Sequence, residues 1–220
     1  MLRWAAIALL ATAVVVVARW GLRRVDALGR TRDFPWIAAG LPLVLAVAAF
    51  VPVVRHGREE RRLSEVASTL VGAPVRVHCQ SGGASMLDVG AELGYVKWGP
   101  NGVPEHSTLI KREPCQALAD YLRSGKTDPT PDEVVAVHVL THEAMHMKGI
   151  TSEGLAECAA VQRDAETARL LGADPDAAIA LARTYWTRTY PLMPDEYRSP
   201  GCAPGGELDE ARPDSPWQNR

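Results

Sequence analysis

The sequence predicts an α+β protein in which two N-terminal transmembrane helices precede a small domain made of a short sheet and a hairpin of helices. Three observations predict this fold class. Two apolar runs lie within the first 54 residues, short alternating segments separated by Gly- and Pro-rich turns follow, and a capped helix carries the sequence His-Glu-x-x-His. With 220 residues the chain holds one core of useful size plus accessory segments, and has little room for two full domains.

Two apolar runs predict a membrane anchor within residues 1–60. Residues 4–18 carry no charge, and residues 36–54 form a second uncharged run of nineteen residues. The second run is long enough to cross a bilayer, and the first reaches that length only with its flanks. Tryptophans, which are common at membrane interfaces, lie at the ends of both runs. We therefore expect two spanning helices, with a cleaved signal peptide as the alternative for the first run.

The charge distribution bears on orientation and on partners. Residues 1–62 carry ten Lys and Arg against four Asp and Glu, whereas residues 63–220 carry fourteen against twenty-two. Five arginines between the apolar runs predict a cytoplasmic loop and external termini, although four more arginines follow the second run. The acidic C-terminal part argues against nucleic acid as a partner, because phosphate binding requires clustered basic residues. The bilayer is the expected partner of the N-terminal part.

All four cysteines lie in the C-terminal part: Cys79, Cys115, Cys158 and Cys202. An even number is compatible with two disulfides in an oxidising compartment. We predict the pairs Cys79–Cys115 and Cys158–Cys202, which favour an extracytoplasmic C-terminal domain. Together with the two apolar runs, this predicts a multi-pass protein of the cell membrane. Four unpaired buried thiols and a cytoplasm-facing domain are the alternatives. The cysteines lack the Cys-x-x-Cys spacing of a structural zinc site.

Residues 61–202 have the pattern of a folded domain, and residues 203–220 are rich in Pro, Gly and charge, which predicts a disordered tail. Val75–Cys79, Gly94–Trp98 and Thr108–Lys111 are predicted as short strands, the last two separated by a Gly-Pro-Asn-Gly turn. Thr108–Lys111 is a candidate edge strand that pairs with the backbone of an extended peptide, with an ordinary solvent-exposed edge as the alternative.

Helix signals are stronger in the second half of the domain. Thr130 is a candidate N-cap, followed by Pro at the first helical position and by Glu133 three residues after the cap. The helix is predicted to end at Gly149. A second helix is predicted to run to about Leu171, and a third to begin at Asp174-Pro175.

The capped helix carries the residues with the clearest chemical signal, His142, Glu143 and His146. Residues four apart lie on one helix face, with β-carbons roughly 5–6 Å apart, so both histidines are able to bind one metal ion. Glu143 lies beside such an ion without being its ligand, where a carboxylate is able to accept a proton from bound water. The pattern predicts a hydrolytic Zn²⁺ site with Glu143 as general base.

The third ligand is expected on the next helix. Glu153 follows His146 by seven residues and is the predicted ligand. Glu157 lies one turn further on and is predicted to accept a hydrogen bond from the free ring N–H of His142. The reverse assignment of the two glutamates stays open. His138 shares the histidine face, but it lies about 12 Å from His146 along the axis, so one ion cannot use all three histidines.

The two motifs together resemble the zinc metallopeptidases of the gluzincin type. Those enzymes combine His-Glu-x-x-His with a downstream helix that bears a ligand Glu and an acidic residue four positions later. Glu153-Gly154-Leu155-Ala156-Glu157 is similar to that second element, although Glu stands where Asp is usual and the gap between the elements is shorter. The stretch His142–Cys158 also resembles small membrane-anchored bacterial proteins without an assigned substrate. The resemblance implies a zincin-like domain, bound zinc and a peptide or protein substrate.

A metzincin resemblance is weaker. Gly149 matches the glycine of that longer motif, but Ser152 stands where a third histidine is needed, and serine is a poor zinc ligand. We therefore expect a membrane-anchored zinc-dependent hydrolase, a peptidase by resemblance. The alternative is a non-catalytic membrane-anchored zinc-binding domain with a structural or interaction role. Four residues are candidate hydrogen-bond donors to the oxyanion of the reaction: His106, Tyr185, Tyr190 and Tyr197.

Overall fold

The computed structural model describes residues 2–25, 29–80 and 92–217. The chain divides into two compact units, Met1–Glu59 and Glu60–Arg220. Helices dominate, and the described strands form one small sheet. The α+β class that the sequence predicts is therefore confirmed.

The first unit is built from two long apolar helices, α1 (Leu2–Leu22) and most of α2 (Trp36–Val71). Both are long and apolar enough to cross a membrane, by length and composition. Leu63, Val66 and Leu70 have helical spacing, and α2 reaches them from the apolar run without a break. Between Val54 and Leu63 only Gly57 is a poor helix former, and the charged residues around it favour the helix.

Three short strands form the sheet of the second unit: β1 (Arg76–Cys79), β2 (Gly94–Trp98) and β3 (Pro104–Ile110). The strand order is β1-β3-β2, with β1 parallel and β2 antiparallel to β3. The expectation of an edge at Thr108–Lys111 is wrong, because β3 pairs on both sides. Among the described residues, β2 is the outer strand on the side of the His-Glu-x-x-His sequence.

Five helices follow the sheet: α3 (Arg112–Arg123), α4 (Pro131–Met147), α5 (Glu153–Val161), α6 (Asp164–Leu170) and α7 (Pro175–Thr184). A π-helical turn (Tyr185–Thr189) and a 3₁₀ turn (Tyr190–Leu192) extend α7. The predicted cap of α4 is present: Thr130 and Glu133 exchange side-chain-to-backbone hydrogen bonds at 2.7 and 3.3 Å. Every residue from 136 to 147 is buried, so α4 is the centre of the core.

The predicted long second helix is broken into α5 and α6. The N–H of Arg163 bonds to the carbonyl of Ala160 at 2.7 Å in a tight turn. The Gln162 side chain stabilises that turn, because it donates to the carbonyls of Cys158 and Leu208 at 3.0 and 2.9 Å. The break turns Asp164 towards α4, where it is fully buried. Helix periodicity does not show this break, because the break depends on the hydrogen bond between Gln162 and Leu208, which lie far apart in the sequence.

The disorder expected for residues 203–220 is absent from residues 203–217, which pack on the domain without forming helix or strand. Arg163 binds Glu210 through two hydrogen bonds of 2.7 and 2.6 Å. Trp217 packs on Trp186 with ring centroids 4.9 Å apart. The charged residues that predict disorder thus pair with opposite charges on α6 and on the turn before it. Residues 218–220 lie outside the described residues.

Both predicted disulfides are confirmed. Cys79 at the end of β1 pairs with Cys115 in α3, with Cα atoms 5.8 Å apart. Cys158 in α5 pairs with Cys202 at 5.6 Å. The second bond joins the helix that bears Glu153 and Glu157 to the start of the C-terminal segment.

Candidate metal centre

Three side-chain atoms converge between α4 and the first residue of α5. The Nε2 atoms of His142 and His146 lie 3.0 Å apart. Glu153 Oε2 lies 3.0 Å from the first and 3.2 Å from the second. A tetrahedral zinc ion with bonds of about 2.0 Å separates its ligand atoms by roughly 3.3 Å. The triangle therefore fits one ion, and this group is one of two among the described residues that could hold a metal.

The turn between the two helices produces this approach. Gly149 adopts a left-handed conformation with φ of +104°. The N–H of Gly149 bonds to the carbonyl of His146 at 2.9 Å, and the N–H of Ile150 bonds to that of Met145 at 3.2 Å. This is the Schellman pattern, in which only glycine avoids strain at the left-handed position. The chain reverses within five residues, so that Glu153 faces the two histidines.

Hydrogen bonds at the other ring nitrogens orient both histidines. His142 Nδ1 lies 3.0 Å from Glu157 Oε2, and His146 Nδ1 lies 2.7 Å from the carbonyl of Ile150. Because both partners are acceptors, each Nδ1 is a donor, and a ring that carries its only proton there has a lone pair on Nε2. That tautomer is the one that binds a cation. Glu157 lies where the sequence predicts it, beside the ring N–H of His142.

The carboxylates of the site differ in their electrostatics. Hydrogen bonds from His142 and His146 lower the pKa of Glu153 to about 2, so its carboxylate is ionised. Burial raises the pKa of Glu157, but the charge and hydrogen bonds of His138 outweigh burial, and the net shift is downward. Burial raises the pKa of Glu143. An ionised Glu153 suits a metal ligand, and a less acidic Glu143 suits a proton acceptor.

Glu143 lies beside the triangle and against the sheet. The hydroxyl of Thr108 lies 3.2 Å from Glu143 Oε2 and 3.0 Å from the carbonyl of Tyr95. A Cβ atom placed on Gly94 would lie only 2.9 Å from Glu143 Oε1. The backbone of β2 therefore closes on this carboxylate, and glycine is the residue that leaves room for it.

A cleft of about 530 Å³ exposes the triangle and Glu143. Residues of β2 form one wall, and the segment from Met193 to Tyr197 forms another. The Tyr197 ring lies 5.8 Å from the ring of His142. Burial, followed by the negative charges of Glu153 and Glu196, raises the pKa of Tyr197 to about 12, so its hydroxyl keeps its proton. Of the four candidate oxyanion donors, Tyr197 is the one whose place fits that role.

The other three candidates are already engaged in the fold: His106 and Tyr190 do not line that cleft, and Tyr185 lines it from a buried position. His106 is exposed on β3, and its Nδ1 lies 3.4 Å from the carbonyl of Pro74. Tyr190 is buried, and its hydroxyl accepts a hydrogen bond from the N–H of Ser199 at 3.2 Å. Tyr185 is 1% exposed, and its hydroxyl donates to Glu157 Oε1 at 2.7 Å. The hydroxyls of Tyr185 and Tyr190 and the ring of His106 thus already have hydrogen-bond partners within the domain.

Sequence reasoning missed the part played by His138, Asp164 and Tyr185. His138 Nε2 lies 2.9 Å from Glu157 Oε2, and its Nδ1 lies 2.9 Å from Asp164 Oδ2. The two carboxylates outweigh the effect of burial and raise the pKa of His138 to about 10. The signal in the sequence is the four-residue spacing from His142. Asp164 carries no such signal, because its orientation depends on the break between α5 and α6.

His138, His142 and Glu157 form the second group that could hold a metal. Its geometry is accounted for by hydrogen bonds, since His138 Nε2 and His142 Nδ1 point to the same oxygen at 2.9 and 3.0 Å. In the first group the two Nε2 atoms face each other at 3.0 Å as well as Glu153 Oε2, while both Nδ1 atoms donate elsewhere. The centre formed by His142, His146 and Glu153 is therefore the candidate.

No family model, curated protein or solved structure matches this chain. The site defines the class of centre by its own geometry: two histidines and one glutamate on a helical hairpin, with a buried carboxylate beside them in an open cleft.

Proposed function

We propose that this protein is a membrane-anchored zinc-dependent hydrolase that acts on peptide bonds. One observation carries the proposal: the Nε2 atoms of His142 and His146 and the Oε2 atom of Glu153 converge within 3.0–3.2 Å at the floor of a cleft that also contains Glu143. Three protein ligands with an open fourth position are typical of catalytic zinc. The gluzincin resemblance of the two motifs supports the same assignment.

The roles of the side chains follow from their positions. Zinc held by His142, His146 and Glu153 would lower the pKa of a bound water and polarise the substrate carbonyl. Glu143 accepts the proton of the attacking water and passes it to the leaving amine. Tyr197 donates a hydrogen bond to the oxygen that gains negative charge, because its raised pKa keeps the phenol protonated.

The two apolar helices support a multi-pass anchor. We place the loop between them in the cytoplasm, because it carries five arginines. The domain with its two disulfides is then extracytoplasmic, where such bonds persist. Substrates are peptides or proteins outside the cytoplasm.

A non-catalytic zinc-binding domain is the second candidate. It is favoured by the way the ligands join the core, since His142 is linked through Glu157 to the buried His138. Bound zinc would then contribute mainly to folding. The open cleft beside Glu143 favours catalysis over this candidate, because a structural zinc site is usually closed by a fourth protein ligand.

Metal dependence tests the proposal. Full-length protein in detergent is incubated with a mixture of peptides of varied sequence, and products are identified by mass spectrometry. We expect cleavage that a chelator abolishes and added zinc restores. Zinc bound at about one ion per chain without any cleavage would favour the structural candidate. A protein that takes up no zinc would contradict both.

Gly94→Ala tests the packing of β2 on the general base. The new methyl group would lie 2.9 Å from Glu143 Oε1 and 3.1 Å from its Cδ, so the carboxylate must move. Because a flexible side-chain end yields at little cost, we expect an unchanged melting temperature, unchanged zinc content and a loss of peptide cleavage of at least about tenfold.

Gly125→Ala is the matched control. A Cβ atom at Gly125 meets nothing within 4 Å, so this change should leave cleavage unaltered. Full activity in Gly94→Ala would show that the position of Glu143 is not what limits the reaction.

A further inference from the structure

A buried hydrogen-bonded network adjoins the candidate metal centre without taking part in it. It consists of His138, Glu157, Asp164 and Tyr185, which are 3%, 1%, 0% and 1% exposed. These residues come from α4, α5, α6 and the π-helical turn after α7. Four elements of the domain thus each place one polar side chain at the same point of the core. Burying four polar groups is costly unless their hydrogen bonds are made, so the network calls for an explanation.

The network fixes both oxygens of Glu157. Oε1 accepts a hydrogen bond of 2.7 Å from the Tyr185 hydroxyl. Oε2 accepts from His138 Nε2 at 2.9 Å and from His142 Nδ1 at 3.0 Å. With three donors around it, the carboxylate has one orientation. Its bond to His142 is the contact that sets the rotation of that ring and directs Nε2 to the metal position.

His138 is itself held on three sides. Its Nδ1 donates to Asp164 Oδ2 at 2.9 Å, and its ring stacks on Tyr185 with centroids 3.6 Å apart and planes 11° apart. A protonated imidazole ring presents two N–H donors in different directions, and both nitrogens of His138 face carboxylate oxygens. With both nitrogens engaged, His138 has no lone pair for a metal.

We infer that His138 is a positioning residue, which holds Glu157 between Asp164 and His142 so that His142 presents its Nε2 atom to the metal. The inference rests on the proposed zinc centre and deepens it. It adds α6 to the elements that orient the ligands, because Asp164 of α6 binds His138. No motif in the sequence connects α6 with the site. Partners that orient a metal-bound histidine typically change metal affinity by about 10–100-fold when they are removed.

A pair of substitutions separates positioning from packing. The amide nitrogen of Gln reaches approximately the place of imidazole Nε2, and that of Asn the place of Nδ1. His138→Gln therefore keeps a donor to Glu157, whereas His138→Asn keeps only the donor to Asp164. Zinc affinity of the full-length protein in detergent is measured by competition with a chelating dye. We expect about 10–100-fold weaker binding in His138→Asn and a much smaller loss in His138→Gln.

His78→Asn is the control, because His78 is exposed on β1. Cobalt replaces zinc in a second measurement, in which the visible absorption reports ligand geometry. The spectrum should change in His138→Asn and stay close to wild type in His138→Gln. If His138→Asn fails to fold, the same two measurements are made on Tyr185→Phe. This variant keeps the ring that stacks on His138 and deletes one hydrogen-bond donor to Glu157. It should also weaken zinc binding and alter the cobalt spectrum.

The outcomes are distinct. If His138→Asn folds and binds zinc with wild-type affinity, the inference is wrong and the proposed zinc centre is unaffected. If His138→Asn does not fold, wild-type zinc affinity in Tyr185→Phe has the same meaning. Equal losses in His138→Asn and His138→Gln would also overturn it, because packing alone would then explain both. A wild-type protein without zinc affinity would overturn the proposed centre and the inference with it.

Discussion

Glu143→Gln is expected to abolish peptide cleavage while zinc stays bound. The glutamine side chain has the same shape, so it fits against Gly94 and keeps a partner for the Thr108 hydroxyl. It has no basicity to accept the water proton. Removal of a general base typically slows a reaction by about 10²–10⁴-fold, so cleavage should fall to near the detection limit. Zinc content, measured by atomic emission on the same sample, should equal that of wild type.

The control for this change is Asp132→Asn, which removes an exposed carboxylate from the first turn of the same helix. It should cleave peptides at the wild-type rate. If Glu143→Gln kept chelator-sensitive cleavage, another group would have to take the proton. The hydrolytic mechanism would then lose its general base. If neither wild type nor variant cleaved while both bound zinc, the structural role would be the better explanation.

The local parts of the fold and the approach of His142, His146 and Glu153 were predictable from the sequence because their causes are local. The capping box of Thr130 and Glu133 sets the start of α4, and helical spacing places His142 and His146 on one face. Gly149 ends the helix in a way that nearby residues alone determine. Glu153 follows seven residues after His146, so a tight reversal is enough to bring it back. Both disulfide pairs were also predicted correctly.

The parts that could not be predicted depend on contacts between distant residues. Thr108–Lys111 was expected at an edge, but β3 pairs with β1 in parallel, which no local pattern indicates. The break before Asp164 depends on the bond from Gln162 to Leu208. Composition predicts a disordered C-terminal segment, because it does not show that the ion-pair partners lie on α6 and on the turn before it.

The choice of the third candidate ligand also depends on contacts between distant residues, which the sequence does not show. Sequence spacing allowed either Glu153 or Glu157, since one turn of helix separates them. Burial and hydrogen bonding distinguish the two. Glu157 has both oxygens occupied by three donors, whereas Glu153 Oε2 faces the two Nε2 atoms at the cleft. The deciding partners of Glu157 are His138 and Tyr185, which lie nineteen and twenty-eight residues from it in the sequence.

Glu153→Gln is accordingly expected to lose zinc, and Glu157→Gln to retain it with weaker affinity. An amide oxygen is a poor substitute for an ionised carboxylate, so Glu153→Gln should fall from about one zinc per chain to near zero, as should His146→Ala. Glu157→Gln removes the charge that orients His142 and replaces one acceptor oxygen by an NH2 donor, but it leaves the three proposed ligands in place. It should still reach one zinc per chain when zinc is in excess, with affinity lower by about 10–100-fold.

The measurement is zinc content after dialysis of the full-length protein against a weak chelator, beside the melting temperature of each variant. Glu196→Gln, an exposed carboxylate at the rim of the same cleft, is the matched control and should keep its zinc. Zinc kept in Glu153→Gln but lost in Glu157→Gln would move the ligand to Glu157. The three hydrogen bonds on that carboxylate would then have to break on metal binding, and His138 would lose the partner that now holds it. Both carboxylates are ionised and within reach of His142, but Glu153 Oε2 faces both Nε2 atoms at the cleft, whereas Glu157 faces His142 Nδ1.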